Sequence, residues 1–112
     1  MKVAVVGSRD LLVGDLSQYL PKETTEIVSG GARGIDRCAA RYAREKGLKL
    51  TEFLPNYEVY GRSAPIRRNV QIIEYADMVL AFWNGRSRGT KFVIETCRKK
   101  GKPIQIWQPK VP

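Results

Sequence analysis

The chain reads as an α/β domain: a single Rossmann-like, three-layer unit over residues 1–112, built on a five-stranded parallel sheet. Three observations predict it. Short apolar runs rich in β-branched residues alternate five times with amphipathic runs. Glycine- or serine-bearing turns follow the apolar runs, where a parallel strand must hand over to a helix. Right-handed crossovers then make a doubly wound sheet the economical arrangement, with an expected strand order of 3-2-1-4-5.

Each element follows from its own residues. KVAVV (2–6) is a short apolar run ending at Gly7, as a buried parallel strand should be. DLLVGDLSQYL (10–20) spaces Leu12, Leu16 and Leu20 as a helix would, interrupted by Gly14 and stopped by Pro21, and predicts a first helix. TEIVS (25–29) is a second strand. From Gly34 to Lys46, Ile35, Cys38, Ala39, Tyr42 and Ala43 form one apolar stripe, and Gly47 closes the helix. LKLTEFL (48–54) alternates and predicts a third strand, followed by a loop over 55–64. Pro65 suits a first helical turn, with Ile66, Val70 and Ile73 behind it. MVLAFW (78–83) is the fourth strand. NGRSRG then turns into a helix with Val93, Ile94 and Cys97 inward, ended by Gly101, and PIQIW (103–107) is the last strand.

Composition bounds the chemistry. With 43% hydrophobic and 28% charged residues, the 112-residue chain is an ordinary globular composition. No apolar run approaches the ~20 residues that span a bilayer, and the apolar part of MKVAVVGSRD is too short for a secretory signal. A cytoplasmic protein without a membrane partner is expected. Cys38 and Cys97 both fall among apolar neighbours on predicted helices and are expected to be buried and reduced. The chain has no histidine, which excludes Ser-His-Asp and Cys-His schemes and histidine-based metal sites. No metal is expected, and no cofactor beyond a nucleotide-like ligand. The net charge of +9 points toward an anionic partner, and nucleic acid, a phosphorylated small molecule or solubility alone would each fit it.

In a doubly wound sheet, ligands bind at the carboxyl edge of the strands. Four unusual turns are expected there: Gly7-Ser8-Arg9, the stretch Ser29-Gly30-Gly31-Ala32 with Gly34 and Asp36, Arg67-Arg68-Asn69 opening the third helix, and Trp83 with Ser87-Arg88-Gly89-Thr90. Neither the Walker spacing nor the dinucleotide spacing of glycines is met. The collected chemistry nonetheless suits an anion joined to a flat ring. Backbone N–H groups at helix starts favour phosphate, hydroxyls of Ser8, Ser87 and Thr90 can donate to it, and Arg9, Arg68 and Arg88 can pair with it. Some residues keep two readings. Gly31 and Gly34 serve a tight turn or an anion wall, Asp36 a ligand or its own helix dipole, and Trp83 a base platform or the core. Arg37, Arg41 and Arg44, and the basic run Arg98, Lys99, Lys100 and Lys102, read as solvated helix faces.

With these residues placed, the sequence resembles the SLOG superfamily of DNA-processing (DprA, or Smf) and LOG phosphoribohydrolase proteins, nearest to its small YspA/YpsA-related domains. The resemblance rests on GSRD (7–10), SGGARGID (29–36) leading into AARYA, RRN (67–69) and ADMVLAFWNGRSRGT (76–90). It implies a Rossmann-like domain that binds a nucleotide or nucleotide-derived ligand through the positions named above. It also implies self-association into dimers or larger homo-oligomers. LOG enzymes carry a G-T-x-x-E segment whose glutamate assists N-glycosidic cleavage. Here Val93 stands three residues past Thr90, and Glu95 is two positions later, turned away by about 200° on a helix. Binding or sensing of a mononucleotide, ADP-ribose or an NAD derivative is therefore the expected function. A LOG-like hydrolase using Asp36, Glu95 or Asp10 is the alternative. A single-stranded nucleic-acid binder, with Trp83, Tyr57 and Tyr60 for stacking, is a third reading.

Overall fold

Strand β1 (Lys2–Gly7) occupies the centre of the sheet because every side chain from Val3 to Val6 is apolar and both of its faces are covered. A computed structural model describes residues 1–108, and residues 109–112 of the expected domain lie outside the described residues. β2 (Glu26–Ser29) and β3 (Lys49–Glu52) flank β1 on one side, β4 (Met78–Phe82) and β5 (Ile104–Trp107) on the other. All pairings are parallel and the order is β3-β2-β1-β4-β5, with Val3 opposite Ile27 and Val5 opposite Leu80. The predicted α/β architecture and strand order are both found.

Period-two alternation splits the core into two layers. Val3, Val5, Ile27, Leu80 and Phe82 face Ile35, Ala39 and Ala43 of helix α1 (Ile35–Lys46). Ala4, Val6, Val28, Val79 and Ala81 face the other way, onto Ile72 and Ile73 of α3 (Ala64–Tyr75) and Val93, Ile94 and Cys97 of α4 (Arg88–Lys100). The layers follow from handedness. The chain moves outward from β1 to β3 with its crossovers on one face, then crosses to β4 and β5 with its helices on the opposite face.

Three expectations are corrected. No helix forms over 10–20. The Asp15 carboxylate accepts the Ser17 N–H at 2.9 Å, and the Leu16 carbonyl accepts from Tyr19 and Leu20. That turn chemistry, beside Gly14, outweighs the leucine spacing. Leu11 and Leu16 are buried under the α1 layer, whereas Leu12 is 77% exposed, so the anticipated leucine stripe is not the one used. The loop expected at 55–64 contains a single-turn helix, α2 (Tyr57–Tyr60), and a 3-10 turn at Gly61–Ser63. Asn56 caps α2 by accepting the Val59 N–H at 3.2 Å. Finally, Cys38 is half-buried rather than buried, while Cys97 is fully enclosed; both are free thiols. No described helix is long and apolar enough to cross a membrane.

Candidate functional site

A cleft of about 420 Å³ opens at the carboxyl edge between the ends of β1 and β4, the point where the strand order switches from one side of the sheet to the other. Gly7, Ser8 and Arg9 come from the first turn, Gly30, Ala32 and Asp36 from the second. Arg68 and Asn69 of α3 and Ser87, Gly89 and Thr90 at the start of α4 complete the predicted part of its lining.

Arg68 is the pivot. It is only 9% exposed, unusual for an arginine, and it reaches across the cleft floor from α3. Its Nη1 donates to the Gly30 carbonyl at 2.7 Å, and its Nε to the Asn69 side-chain oxygen at 2.9 Å. No described buried side-chain polar atom lacks a partner, so Nη2, which has no acceptor among the described residues, stands open to solvent. Gly30 is what lets the arginine lie there. A Cβ at Gly30 would sit 2.5 Å from Arg68 Nη1 and 3.1 Å from Asp36 Oδ2. Burial draws the guanidinium below its ordinary pKa while Asp36 opposes that shift, and the charge is retained.

Asp36 lies in the first turn of α1, with Oδ2 accepting the Ala32 N–H at 3.1 Å. Burial raises its carboxyl above the ordinary 3.8, and the Ala32 hydrogen bond, Arg68 and Arg9 offset this only in part. Glu52 adds a further upward push. The helix beginning here needs Gly34 at φ +69°, with its Cα face laid against the Arg9 backbone, where a Cβ would come within 2.5 Å of the carbonyl oxygen.

Across the cleft, Ser87 caps α4 by accepting the Thr90 N–H at 3.4 Å, and its hydroxyl meets that of Thr90 at 3.2 Å. The Gly89 N–H belongs to the first turn, which no intrahelical acceptor satisfies. Ser8 is almost fully enclosed; its Oγ accepts the Asn84 N–H at 3.1 Å and keeps its own proton free to donate.

Other anticipated residues lie elsewhere. Ser29 shapes the turn from beneath, its Oγ accepting the Gly31 N–H at 3.4 Å; neither residue lines the cleft, nor does Gly34. Arg88 is exposed outside it. Trp83 also stands outside: its indole N–H donates to the Ser87 carbonyl at 3.0 Å and its ring packs on the α3–α4 layer. Glu95 points to solvent, 3.9 Å from Lys91, whereas Val93 lines the cleft. The two side chains lie on different sides of α4, Val93 in the cleft and Glu95 outside it.

Asn84 went unrecognised from sequence. Its Nδ2 donates to both oxygens of Asp10 at 3.0 and 3.2 Å, and its Oδ1 accepts from the Arg86 and Ser87 N–H groups at 2.8 Å each. It ties the first turn to the fourth. The Asn-Gly pair three residues before a helical cap was the available signal, since asparagine side chains organise such turns.

A family model described as the YspA, cpYpsA-related SLOG family matches residues 1–60. The Gene 61 protein of Mycobacterium phage D29 is 38% identical over 84 residues, which cover 70% of this chain and 67% of that protein. No solved structure matches the chain.

Proposed function

The chain belongs to the YspA, cpYpsA-related SLOG family, whose members bind or process nucleotide-related molecules, and from that premise we propose that it binds a nucleotide or nucleotide-derived ligand in the carboxyl-edge cleft. The carrying observation is Arg68, a buried cation with one donor nitrogen still open, at the floor of a cleft bordered by the Ser8 and Thr90 hydroxyls and helix-start N–H groups. A phosphate there would take Arg68 Nη2, the Ser8 and Thr90 hydroxyls and the Gly89 N–H, with Arg9 closing over it from the rim. At about 420 Å³ the cleft lies toward the small end of ligand sites, which favours a mononucleotide over ADP-ribose or an NAD derivative. Self-association, implied by the resemblance, belongs to the same reading and is tested by sedimentation with and without ligand.

Thermal unfolding against AMP, other mononucleotides, ADP-ribose, NAD and a short oligonucleotide tests the reading. A ligand at about 100 times its Kd adds ~2.7 kcal/mol to folded-state stability, a shift of several degrees for a domain of this size. A shift with one small nucleotide supports the proposal. A shift confined to the oligonucleotide, weakening steeply with salt, replaces it with nucleic-acid binding.

One observation favours a second reading. Asp36 is a buried carboxyl with a raised pKa inside the cleft, the condition in which carboxyl groups act as general acids. Turnover of a nucleoside phosphate that is lost in Asp36→Asn while binding persists would make the protein an N-glycoside hydrolase.

A further inference from the structure

Most of the large apolar side chains left on the surface come from one short stretch. Leu54, Tyr57, Val59, Tyr60 and Ile66 are between 41% and 66% exposed, whereas Met1, Leu12 and Trp107 are scattered over other parts of the fold. Isolated apolar residues such as the latter are ordinary; a cluster is not. Helix α2 is the anomaly within it. None of its four residues is buried, and every residue from 56 to 62 is exposed, so no side chain of this turn is anchored in the core. A lone helical turn is marginal in water, and two tyrosines and a valine gain nothing by facing solvent. Beside it runs a groove of about 430 Å³, lined by Tyr60, Ile66 and Val70 together with Ser63, Arg67 and Gln71.

We infer that this face, α2 with the first two turns of α3, is where two copies of the chain pair about a two-fold axis. The inference rests on the self-association stated above and names its surface, whichever ligand the cleft takes. A two-fold interface must be self-complementary, because the same patch forms both sides. This face meets that condition in shape and in charge. It carries an exposed turn bearing Tyr57 and Val59 and, next to it, an apolar groove, so each copy can seat its turn in the other's groove. It also carries both signs of charge. Glu58 has no cation, and Arg62 and Arg67 no carboxylate, within 4 Å among the described residues. Pairing two copies gives each Glu58 an arginine of the other chain.

The same charges argue for a second copy over an acidic partner. One carboxylate against two guanidiniums leaves the face nearly balanced, although the chain carries +9, so two such faces meet without concentrating like charge. An acidic protein would be drawn instead to the run Arg98, Lys99, Lys100 and Lys102. Composition and size agree. Tyrosine and arginine are the side chains that interfaces favour, and Arg67 already lies over the Tyr60 ring at 4.8 Å. The five exposed side chains together reach the ~300–600 Å² range of the largest apolar patches on monomers. With a polar rim, a face of that size approaches the ~800 Å² per partner of a standard interface.

Sedimentation equilibrium of the full chain from low to high micromolar concentration tests this, repeated on Val59→Asp, Ile66→Asp and Leu12→Asp. The parent is expected to form a dimer that dissociates on dilution. Val59→Asp and Ile66→Asp each enter a two-fold interface twice, so dimer affinity should fall about 30-fold or more. Thermal unfolding of these monomers should match the parent's, since both sites are exposed. Leu12→Asp, exposed on the α1 side of the sheet, should leave dimer affinity unchanged. Glu58→Arg should weaken pairing, and mixing it with the double variant Arg62→Glu, Arg67→Glu should restore it as a mixed dimer. A dimer that persists in both Val59→Asp and Ile66→Asp, or charge variants that fail to pair, overturns the surface assignment and leaves self-association standing. A parent that stays monomeric overturns both, and the face then belongs to a different protein. The nucleotide reading is untouched by either result.

Discussion

The two edges of the sheet each enclose one carboxylate, and they treat it in opposite ways. At the amino edge, Glu26 is covered but shallow. Burial raises its carboxyl, yet hydrogen bonds from Tyr75 at 2.5 Å and Thr51 at 2.7 Å, followed by the charges of Lys49 and Lys2, outweigh burial and hold it below the ordinary 4.5. Lys2 in turn rests 4.1 Å above the Tyr75 ring. At the carboxyl edge, Asp36 receives one backbone N–H, and burial wins. The amino edge has spent its polar groups on one another, so it is a closed structural joint. The carboxyl edge keeps an open arginine nitrogen, the Ser8 hydroxyl proton and a buried carboxyl with one hydrogen-bond donor, and is therefore where a ligand would gain most.

The largest effect should come from removing the arginine that makes the edges unlike. Arg68→Ala is expected to weaken nucleotide binding about 100-fold, or ~2.7 kcal/mol, and to lower stability by about 1–3 kcal/mol because the Gly30 carbonyl loses its donor. Arg68→Lys keeps the charge without the fork, so it should recover more stability than affinity. Binding that survives in Arg68→Ala would remove the distinction between the edges.

At the amino edge, Tyr75→Phe should cost about 1–2 kcal/mol in urea unfolding, with ligand affinity unchanged. The Glu26 contribution has a depressed folded pKa. It is present above 4.5 and lost as pH falls through the lower folded value, so Glu26→Gln should be destabilised at neutral pH and match the parent in strong acid. Asp36 has the reverse sign. Its raised folded pKa favours the folded state below 3.8, an advantage lost as pH rises through the raised value. Asp36→Asn should accordingly be more stable than the parent at neutral pH, with the gap closing below 3.8. A parallel pH response of the two variants would erase the contrast. Smallest of all, Glu95→Gln should leave stability within about 0.5 kcal/mol and ligand affinity unchanged, since its exposed pairing with Lys91 contributes little.

How far the sequence could be read depended on the range of the interaction involved. Strand order was legible because alternating apolar runs and right-handed crossovers leave few topologies, and the same topology collects the turns around Ser8, Gly30, Arg68 and Thr90. The failures were local. Leucine spacing over 10–20 competed with the Asp15 turn, which only the folded backbone arbitrates. Trp83 was placed at the right strand end, but the sequence does not say that its indole N–H is taken by Ser87. The enclosure of Arg68 was invisible for a different reason: a long charged side chain is ordinarily solvated, and only the missing Cβ of Gly30 makes room to bury this one.

The helix-free crossover from β1 to β2 also sets how the molecule breathes. One face of the sheet is sealed by the continuous hydrogen-bonded ladders of α3 and α4. The other is sealed in part by a segment anchored mainly through Leu11 and Leu16, with Leu12, Gly14, Asp15, Ser17 and Gln18 exposed. Its backbone amides should exchange with deuterium well before those of the helices opposite, and protease should cut there first. The same tip would accept inserted residues without disturbing a strand. Leu12, Gly14 and Leu16 border a groove against Arg41 and Glu45, and Asp15 lies near the Lys46 charge, so added chain at this point would emerge beside the C-terminal half of α1, away from the cleft.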